Sequence, residues 1–309
     1  MSNIITSGAI YSLLWPGLDK VGQSYKRYKG EFEKVYTRRK SNKAQEVSVD
    51  LKPTGYALLK PEGEQIASDY MEQTFKYVSV NRQYGLSFAI TDWAIMNNQY
   101  ENEFNTKTRS LFNSYDQTRE VMAMNMFNQA FNSNVLIGDG QPLCSVAHPY
   151  VGGTYANTFT NPATGAALTV DFSETAVEQA IVQIQKFKDQ AGLLIAARAK
   201  YLLLPPELEF SGCRLLNSMY RIGTANNDIN AIYNMKAISN GYMVNHYLTS
   251  PSNWFVLTDV PETFIHYDRQ AFETDMNVDP NTKTLKVNGV GAYSFMAFTA
   301  NGVFGSQGA

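Results

Sequence analysis

The chain has 309 residues, 44% of them hydrophobic and 17% charged, so it can bury a sizeable core and is not a disordered protein. No stretch approaches the roughly 18 apolar residues of a membrane-spanning helix, and the N-terminus lacks the basic start of a secretory signal. The two cysteines, Cys144 and Cys213, fit a reducing compartment and make a disulfide an unfavoured alternative. Composition therefore favours a folded protein made in the cytoplasm.

The net charge of −2 conceals a basic N-terminal arm. From Asp19 to Lys43, nine basic residues accompany three acidic ones, a net charge of +6, which leaves −8 for the rest of the chain. Such an arm suits a nucleic acid or an acidic protein partner, and the alternative is a solvated strand edge. The aromatic residues Tyr25 and Tyr36 predict that the arm packs along something. The basic residues proposed for subunit or DNA contact are Lys26, Arg27, Lys29, Arg38, Arg39 and Lys40.

An extended hairpin is predicted after the arm. Residues 47–51 and 75–80 alternate between apolar and polar, and residues 84–90 follow as a further strand. We interpret residues 52–68 as a segment with few large apolar side chains and with turn-forming sequences. A hairpin that cannot bury a core of its own must lie on something else, such as a neighbouring subunit. The predicted tip of this loop is Pro61, Glu62, Gly63 and Glu64.

A long helix ending in a fixed turn is predicted next. Residues 86–137 contain no glycine or proline, and apolar residues recur at helical spacing from Tyr100 to Met126. About 35 residues at 1.5 Å each predict a rod of roughly 50 Å. Residues 137–149 are then rich in glycine and proline, which predicts a hard turn. The turn residues of interest are Gly138, Asp139, Gly140, Pro142, His148 and Pro149.

The rest of the chain mixes helices and buried strands. Ser173 is predicted to cap a helix over residues 174–190. Residues 201–204 and 254–258 are short apolar runs typical of buried strands, and alternating runs predict further strands between Phe264 and Phe304. These elements predict an α+β fold.

Patterns that carry catalysis are weak. No His-x-x-x-His, Cys-x-x-Cys, Gly-x-Ser-x-Gly or phosphate-loop sequence occurs. Cys144 and His148 are four residues apart and could suggest a cysteine nucleophile, but a tight turn explains them better. We therefore predict no enzyme activity, no cofactor and no metal site.

Three segments, taken together, resemble the major capsid protein of tailed bacteriophages. They are residues 60–64, residues 84–91 entering the helix and residues 138–149 leaving it. The nearest group is the Mu-like major head subunit, in which the last segment often reads Asp-Gly-x-x-Leu-Phe-Ser-x-x-His-Pro, so Cys144 departs from the usual aromatic. The resemblance implies the Hong Kong 97 phage-type α+β fold, with an N-terminal arm, an extended β-hairpin loop, a long spine helix and an α/β axial domain.

The resemblance also implies a division of the chain into five parts. The extended loop would lie across the adjacent subunit, the tips of the axial domain would meet around five- and six-fold axes, and the arm would brace neighbours or face DNA. The parts are the arm (1–31), the extended loop (32–84), the peripheral domain with the spine helix (85–168), the axial domain (169–260) and C-terminal strands that return to the peripheral domain (261–309).

The function implied is a major head protein that self-assembles through pentamers and hexamers into an icosahedral shell around packaged double-stranded DNA. Expected partners are other copies of the chain, a portal protein, a possible decoration protein and DNA bound without sequence preference, but no membrane. Because the extended loop follows Met1 within about forty residues, we also expect a separate scaffolding protein. The protein would be assembled in the host cytoplasm and reside in the virion. The alternatives are an encapsulin-type compartment shell and another structural virion component.

Overall fold

Two four-stranded sheets and one long helix form the body of the molecule in the computed structural model, which describes residues 30–97, 100–221 and 228–308. The first sheet has the order β1 (Thr37–Lys40), β10 (Phe264–Val278), β11 (Leu285–Ala297) and β4 (Arg82–Ile90). The second has the order β12 (Val303–Ser306), β9 (Trp254–Thr258), β7 (Ala199–Leu204) and β8 (Tyr242–Val244). Two pairs stand apart from these sheets, namely β2 (Gln45–Lys52) with β3 (Glu72–Val80) and β5 (His148–Tyr150) with β6 (Gly153–Tyr155).

The helices include one that is much longer than the others. They are α1 (Asp92–Met96), α2 (Tyr100–Asn128), α3 (Glu174–Ile184), α4 (Glu209–Asn217) and α5 (Ala231–Asn234), with single 3₁₀ turns at Glu31–Lys34, Pro206–Leu208 and Ala300–Gly302. Among the described residues, no helix is both long and apolar enough to cross a membrane. The sequence also predicts a short helical piece near Pro16 to Tyr28, and this segment lies outside the described residues.

The spine helix α2 is confirmed but is shorter than predicted, with 29 residues or roughly 43 Å. It ends at Asn128, whose side chain donates to Tyr247 O (3.0 Å) and accepts from Thr249 N (3.0 Å). Asparagine side chains compete with helical hydrogen bonds, and Asn132 likewise accepts from Asn134 N just beyond the helix end. The prediction from the absence of glycine and proline therefore overestimated the length of the helix, because the helix ends earlier, at Asn128.

The end of the spine helix joins the two sheets in one core. Phe127 lies between Phe255 of the second sheet, with ring centroids 5.4 Å apart, and Phe264 of the first, at 5.1 Å. Met124 is also fully buried in this cluster, together with Phe32 and Leu203. Further along the helix, Phe104 and Leu111 pack on the inner face of the first sheet.

The predicted strands over 47–51, 75–80, 84–90, 201–204 and 254–258 are all confirmed, with small shifts at their ends. Ser173 caps α3 as predicted and accepts from Ala176 N at 3.2 Å. The helix ends at Ile184 rather than residue 190, because the chain turns there to bury Phe187.

The C-terminal region divides between the two sheets. Strands β10 and β11 belong to the first sheet, whereas β12 pairs with β9 in the second. A Cβ at Gly305 would lie 2.5 Å from Cys144 Sγ and 2.9 Å from a Phe255 ring carbon, so glycine lets β12 approach this core closely. Residues 303–306 thus lie in the second sheet, whereas β10 and β11 lie in the first.

Glu120 gives the fold a pH dependence that can be measured. It is almost fully buried on the spine helix, and burial raises its pKa from 4.5 to about 7, although Phe32 N donates to it at 3.2 Å. When the pKa of a carboxyl is higher in the folded than in the unfolded state, the carboxyl stabilises the folded state at pH values below its unfolded-state pKa. This contribution is lost as the pH rises through the folded-state pKa. We expect the free energy of unfolding to fall by at most about 3 kcal/mol between pH 4.5 and 8 on this account.

The Glu120→Gln variant should remove this dependence because glutamine stays neutral and can still accept from Phe32 N. Urea denaturation at pH 5 and pH 8 should show that the variant is more stable than the original chain at pH 8 only. Glu207→Gln, on an exposed side chain, is the matched control. Equal effects of Glu120→Gln at the two pH values would contradict the assignment.

Candidate functional site

The hairpin of β2 and β3 has one buried and one exposed face. Ser48 is opposite Tyr77 and Val47 is opposite Val78 in its register. Tyr77 and Ser79 turn inward and are almost fully buried. The outward face is apolar, with side chains that are 38–52% exposed: Val47, Val49, Leu51, Val78 and Val80. An exposed, contiguous apolar face of this kind is typical of a surface that contacts another protein.

Residues 53–71 connect the two strands, and with β2 and β3 they form what we call the extended loop (residues 45–80). This connection contains no regular helix or strand. Its large apolar side chains are 67–93% exposed: Tyr56, Leu58, Leu59, Ile66, Tyr70 and Met71. The prediction that residues 52–68 contain few large apolar residues is therefore wrong. In the sequence, turn-forming residues such as Pro61 and Gly63 separate these apolar side chains into short groups.

The two arms of this connection are tied together near its base, and its predicted tip forms a turn. Asp69 accepts from Gly55 N and Tyr70 N, both at 2.8 Å, and these two N–H groups lower the pKa of its carboxyl. At the tip, Glu64 N donates to Pro61 O at 3.3 Å, and Gly63 takes a φ of +85°. Glycine adopts this conformation without strain. The loop thus has a defined tip while its apolar side chains stay in solvent.

A chain of buried polar groups fixes the base of the extended loop. Ser79 Oγ donates to Ser294 Oγ (2.9 Å), which donates to Asn81 Oδ1 (2.8 Å), and Asn81 Nδ2 donates to Ser41 Oγ (2.9 Å). The chain therefore joins both ends of the hairpin to β11. The base of the extended loop is held by the body of the subunit, and the remainder projects from it.

The predicted turn over residues 137–149, which we call the corner, supports the inner face of the hairpin. A Cβ at Gly138 would lie 2.4 Å from the ring of Tyr77, so the ring rests on this glycine. The corner closes through Ile137 N to Gln141 O (2.8 Å) and Gly140 N to Ile137 O (3.0 Å). Gly140 adopts a φ of +77°, which favours glycine. Glycine is thus required at position 138 by the packing of the Tyr77 ring and favoured at position 140 by the positive φ.

His148 and Asp139 form a buried pair at the centre of the corner. His148 Nδ1 lies 2.6 Å from Asp139 Oδ2, and His148 Nε2 lies 3.1 Å from Asn157 Oδ1. Asn157 Nδ2 donates to Leu143 O (2.8 Å) and Ala300 O (3.2 Å), while Asn157 Oδ1 accepts from Ser145 N (2.8 Å).

The orientation of the Asn157 amide decides which ring nitrogen of His148 donates to it. Because Asn157 Oδ1 also accepts from Ser145 N, it is an acceptor, and His148 Nε2 must donate to it. The other ring nitrogen, Nδ1, is then held against the Asp139 carboxyl. Asn157 was missed by sequence reasoning, since one asparagine in a polar segment gives no signal.

Cys144 lies in the corner but is not placed to act as a nucleophile. It is buried, and burial raises the pKa of its thiol, which disfavours the reactive thiolate. Both nitrogens of His148 are already bonded to Asp139 and Asn157. Pro149 lies in β5 opposite Thr154, and Pro142 lies half-buried before Leu143. In the described part of the chain, no group of three or more His, Cys, Asp or Glu side chains is placed to hold a metal ion.

The proposed basic contact residues fall into two sets. Arg38 and Arg39 lie on β1 and form ion pairs with Asp268 and Glu262, so acidic neighbours already balance their charges. Lys40, at the end of β1, is exposed. The other three, Lys26, Arg27 and Lys29, lie outside the described residues. Strand β1, which carries Arg38, Arg39 and Lys40, is thus part of the first sheet.

Residues 79–303, nearly three quarters of the chain, match the phage capsid protein family. The chain belongs to the phage capsid protein family. It is therefore a structural capsid protein, a component of the virion. The comparison with curated proteins found no match. The Mu-like group is a finer assignment and stays a prediction.

Solved capsid structures share this fold at low sequence identity. The capsid of Cyanophage P-SCSP1u is similar at a TM-score of 0.54 and 14% identity, over 93% of this chain and 90% of that one. The capsid of Myoviridae Phage XM1 is similar at a TM-score of 0.52 and 8% identity, over 92% of this chain and 94% of that one. The mature capsid of bacteriophage PhiM1 is similar at a TM-score of 0.52 and 10% identity, over 91% of this chain and 87% of that one. The predicted Hong Kong 97 phage-type α+β fold is confirmed.

The buried His148–Asp139 pair predicts a large effect for a single substitution. His148→Gln removes the ring that bonds both Asp139 Oδ2 and Asn157 Oδ1, and each buried polar group left without a partner typically costs about 1–3 kcal/mol. Urea denaturation should show this loss. His246→Gln is the control, because His246 forms its pair with Glu31 on an exposed ring and should cost less than about 1 kcal/mol. Similar losses in the two variants would contradict the stabilising role of the buried pair.

Proposed function

We propose that this protein is the major head subunit, which assembles as hexamers and pentamers into an icosahedral shell around double-stranded DNA, with the extended loop lying across the adjacent subunit. The observation that carries the proposal is the combination of a capsid fold with an extended loop whose apolar side chains project into solvent. Within a capsid, the neighbour available to cover these side chains is another copy of the chain.

The energetics favour such a use of the loop. Fully burying one Leu, Ile or Met side chain stabilises by about 1.5–3 kcal/mol, and the connection alone has six large apolar side chains to bury. Part of this is offset by ordering residues 53–71 and by the entropy of association. Even a modest net contact is sufficient in a closed shell, because symmetry repeats it in every subunit.

The proposal extends to the division of labour within the chain. The spine helix and the first sheet would form the peripheral domain, and the second sheet with α3 to α5 would form the axial domain near the symmetry axes. The enclosed DNA would be held through its charge rather than its sequence. The resemblance adds a portal protein, a scaffolding protein and a possible decoration protein as partners, with assembly in the host cytoplasm.

Substitutions in the connection test the proposal. Leu58→Ser with Leu59→Ser should leave the subunit folded, since both side chains are exposed, but should greatly reduce the yield of shells seen by electron microscopy. Val182→Ser, on the exposed face of α3 and about half exposed, is the matched control. Circular dichroism of each variant checks its fold.

Two outcomes would count against the proposal. If the double variant forms shells as well as the control does, the extended loop does not carry the subunit contact. If purified shells contain protein cargo and no DNA, the compartment alternative replaces the DNA-enclosing one.

A further inference from the structure

A shallow groove of about 510 Å³ lies on the outer face of the first sheet. Two rows of residues in register form its floor: Val290 lies between Gly85 and Glu273, and Asn288 lies between Ser87 and Asp275. Glycine, serine and valine keep the floor low on the β4 side, while the two acids form the wall on the β10 side. All of its lining residues belong to β4, β10 and β11.

The groove faces away from the spine helix. Successive side chains of a strand alternate between its faces, and Met276 and Val287 of β10 and β11 pack inward with Leu111 of the helix. Gly289 also belongs to the inner face, where a Cβ would lie 2.2 Å from Phe272. The neighbouring positions Glu273, Asp275 and Asn288 therefore face outward.

The acidic wall lacks a basic partner within the described residues. Glu273 accepts from the Gln270 amide at 3.2 Å, and Asp275 accepts from the Asn277 amide at 2.7 Å. Amides are neutral, so the negative charge of both carboxylates remains available. Lys286, in the adjacent row of β11, is bonded to Asp279 instead. The groove therefore suits a basic segment.

The chain itself contains a segment of matching charge. Residues 20–29 include Lys20, Lys26, Arg27 and Lys29 and no acid, and Tyr25 and Tyr28 accompany them. Aromatic rings can lie flat over glycine and serine, and a segment of ten residues extends over up to about 35 Å. Outside residues 19–43 the chain carries a net charge of −8, so the body of a neighbouring subunit attracts the segment at longer range as well.

The position of Gly30 favours a neighbouring subunit over the same chain. A Cβ at Gly30 would lie 2.7 Å from Glu120 Oε1, and Arg119 lies over the ring of Phe32 at 5.1 Å. Residue 30 is thus fixed beside the spine helix, which covers the inner face of the sheet. The described chain thus begins on the helix side of the first sheet, opposite the outer groove of the same subunit.

We propose that the outer groove of the first sheet, between Gly85–Ser87 and Glu273–Asp275, receives residues 20–29 of a neighbouring subunit. This inference rests on the proposed shell assembly and specifies one of its contacts. It assigns the basic segment to an acidic protein surface rather than to DNA. Because the ion pairs are solvent-exposed, each is weak, and their sum falls as ionic strength rises.

Charge reversal with rescue tests the contact. Glu273→Lys with Asp275→Lys should lower shell yield by about tenfold at low ionic strength, where charge repulsion is least screened. Adding Lys26→Glu and Arg27→Glu to the same chain should restore it. Thermal unfolding of each subunit checks folding, and Glu273→Gln with Asp275→Asn repeats the test with smaller changes. Failure of the rescue in folded variants overturns the proposal.

A disulfide test reports which chain occupies the groove. In a Cys213→Ser background, Ser87→Cys with Tyr28→Cys should give a ladder of linked subunits on non-reducing denaturing gels of oxidised shells, and Ser87→Cys alone should not. A disulfide within one chain, or no disulfide, overturns the proposal. So does a result in which the Lys26 and Arg27 reversals lower only the DNA content of shells. Shells formed by the original chain in the same experiment show that assembly itself is intact.

Discussion

The end of the spine helix is the contact on which the rest of the subunit depends. Phe127 touches an aromatic ring from each sheet, and Tyr36 donates its hydroxyl to Ala123 O at 2.7 Å on the same stretch of helix. Cys144 N returns to Ala130 O at 2.8 Å just beyond the helix end. Two sheets, the segment that contains Tyr36 and the corner are therefore all positioned by residues 123–130, at the end of the helix and just beyond it. Close packing makes such a junction stiff, because a side chain there cannot move without displacing its neighbours.

The extended loop combines a rigid base with a solvent-exposed end. Its base is fixed by buried hydrogen bonds through Ser79, Asn81 and Ser294 and by the Tyr77 ring on Gly138. Buried polar chains of this kind specify one geometry because leaving any member unpaired is costly. The base thus fixes the direction of the loop, while the exposed connection can adjust to the surface that it meets. In the proposed shell of hexamers and pentamers, a subunit would need both properties.

Local patterns in the sequence predicted much of the fold, and contacts between distant residues account for what they missed. Strand alternation, the Ser173 cap and the glycine-rich corner are local signals, and each has the predicted structure. The length of the spine helix was overestimated because Asn128 is held by Tyr247 and Thr249, more than a hundred residues away. For the same reason β12 could not be assigned to the second sheet, and Arg38 and Arg39 could not be recognised as paired with Asp268 and Glu262, respectively. The sequence predicted the residues of the corner. It did not predict that Tyr77 packs on the corner or that Asn157 hydrogen-bonds to it.

The hydrogen bond from Asn157 to Ala300 O has a consequence for the order in which the subunit becomes competent to assemble. It joins residues 143 positions apart, and such long-range contacts form late because closing a long loop of chain is entropically costly. The same asparagine positions His148, which holds Asp139 beside the glycine that supports Tyr77. The contacts that hold the base of the extended loop are consequently complete only when the C-terminal strands have folded into place. In the proposed shell assembly, a partly folded chain would lack a correctly oriented loop and would therefore not join a growing shell.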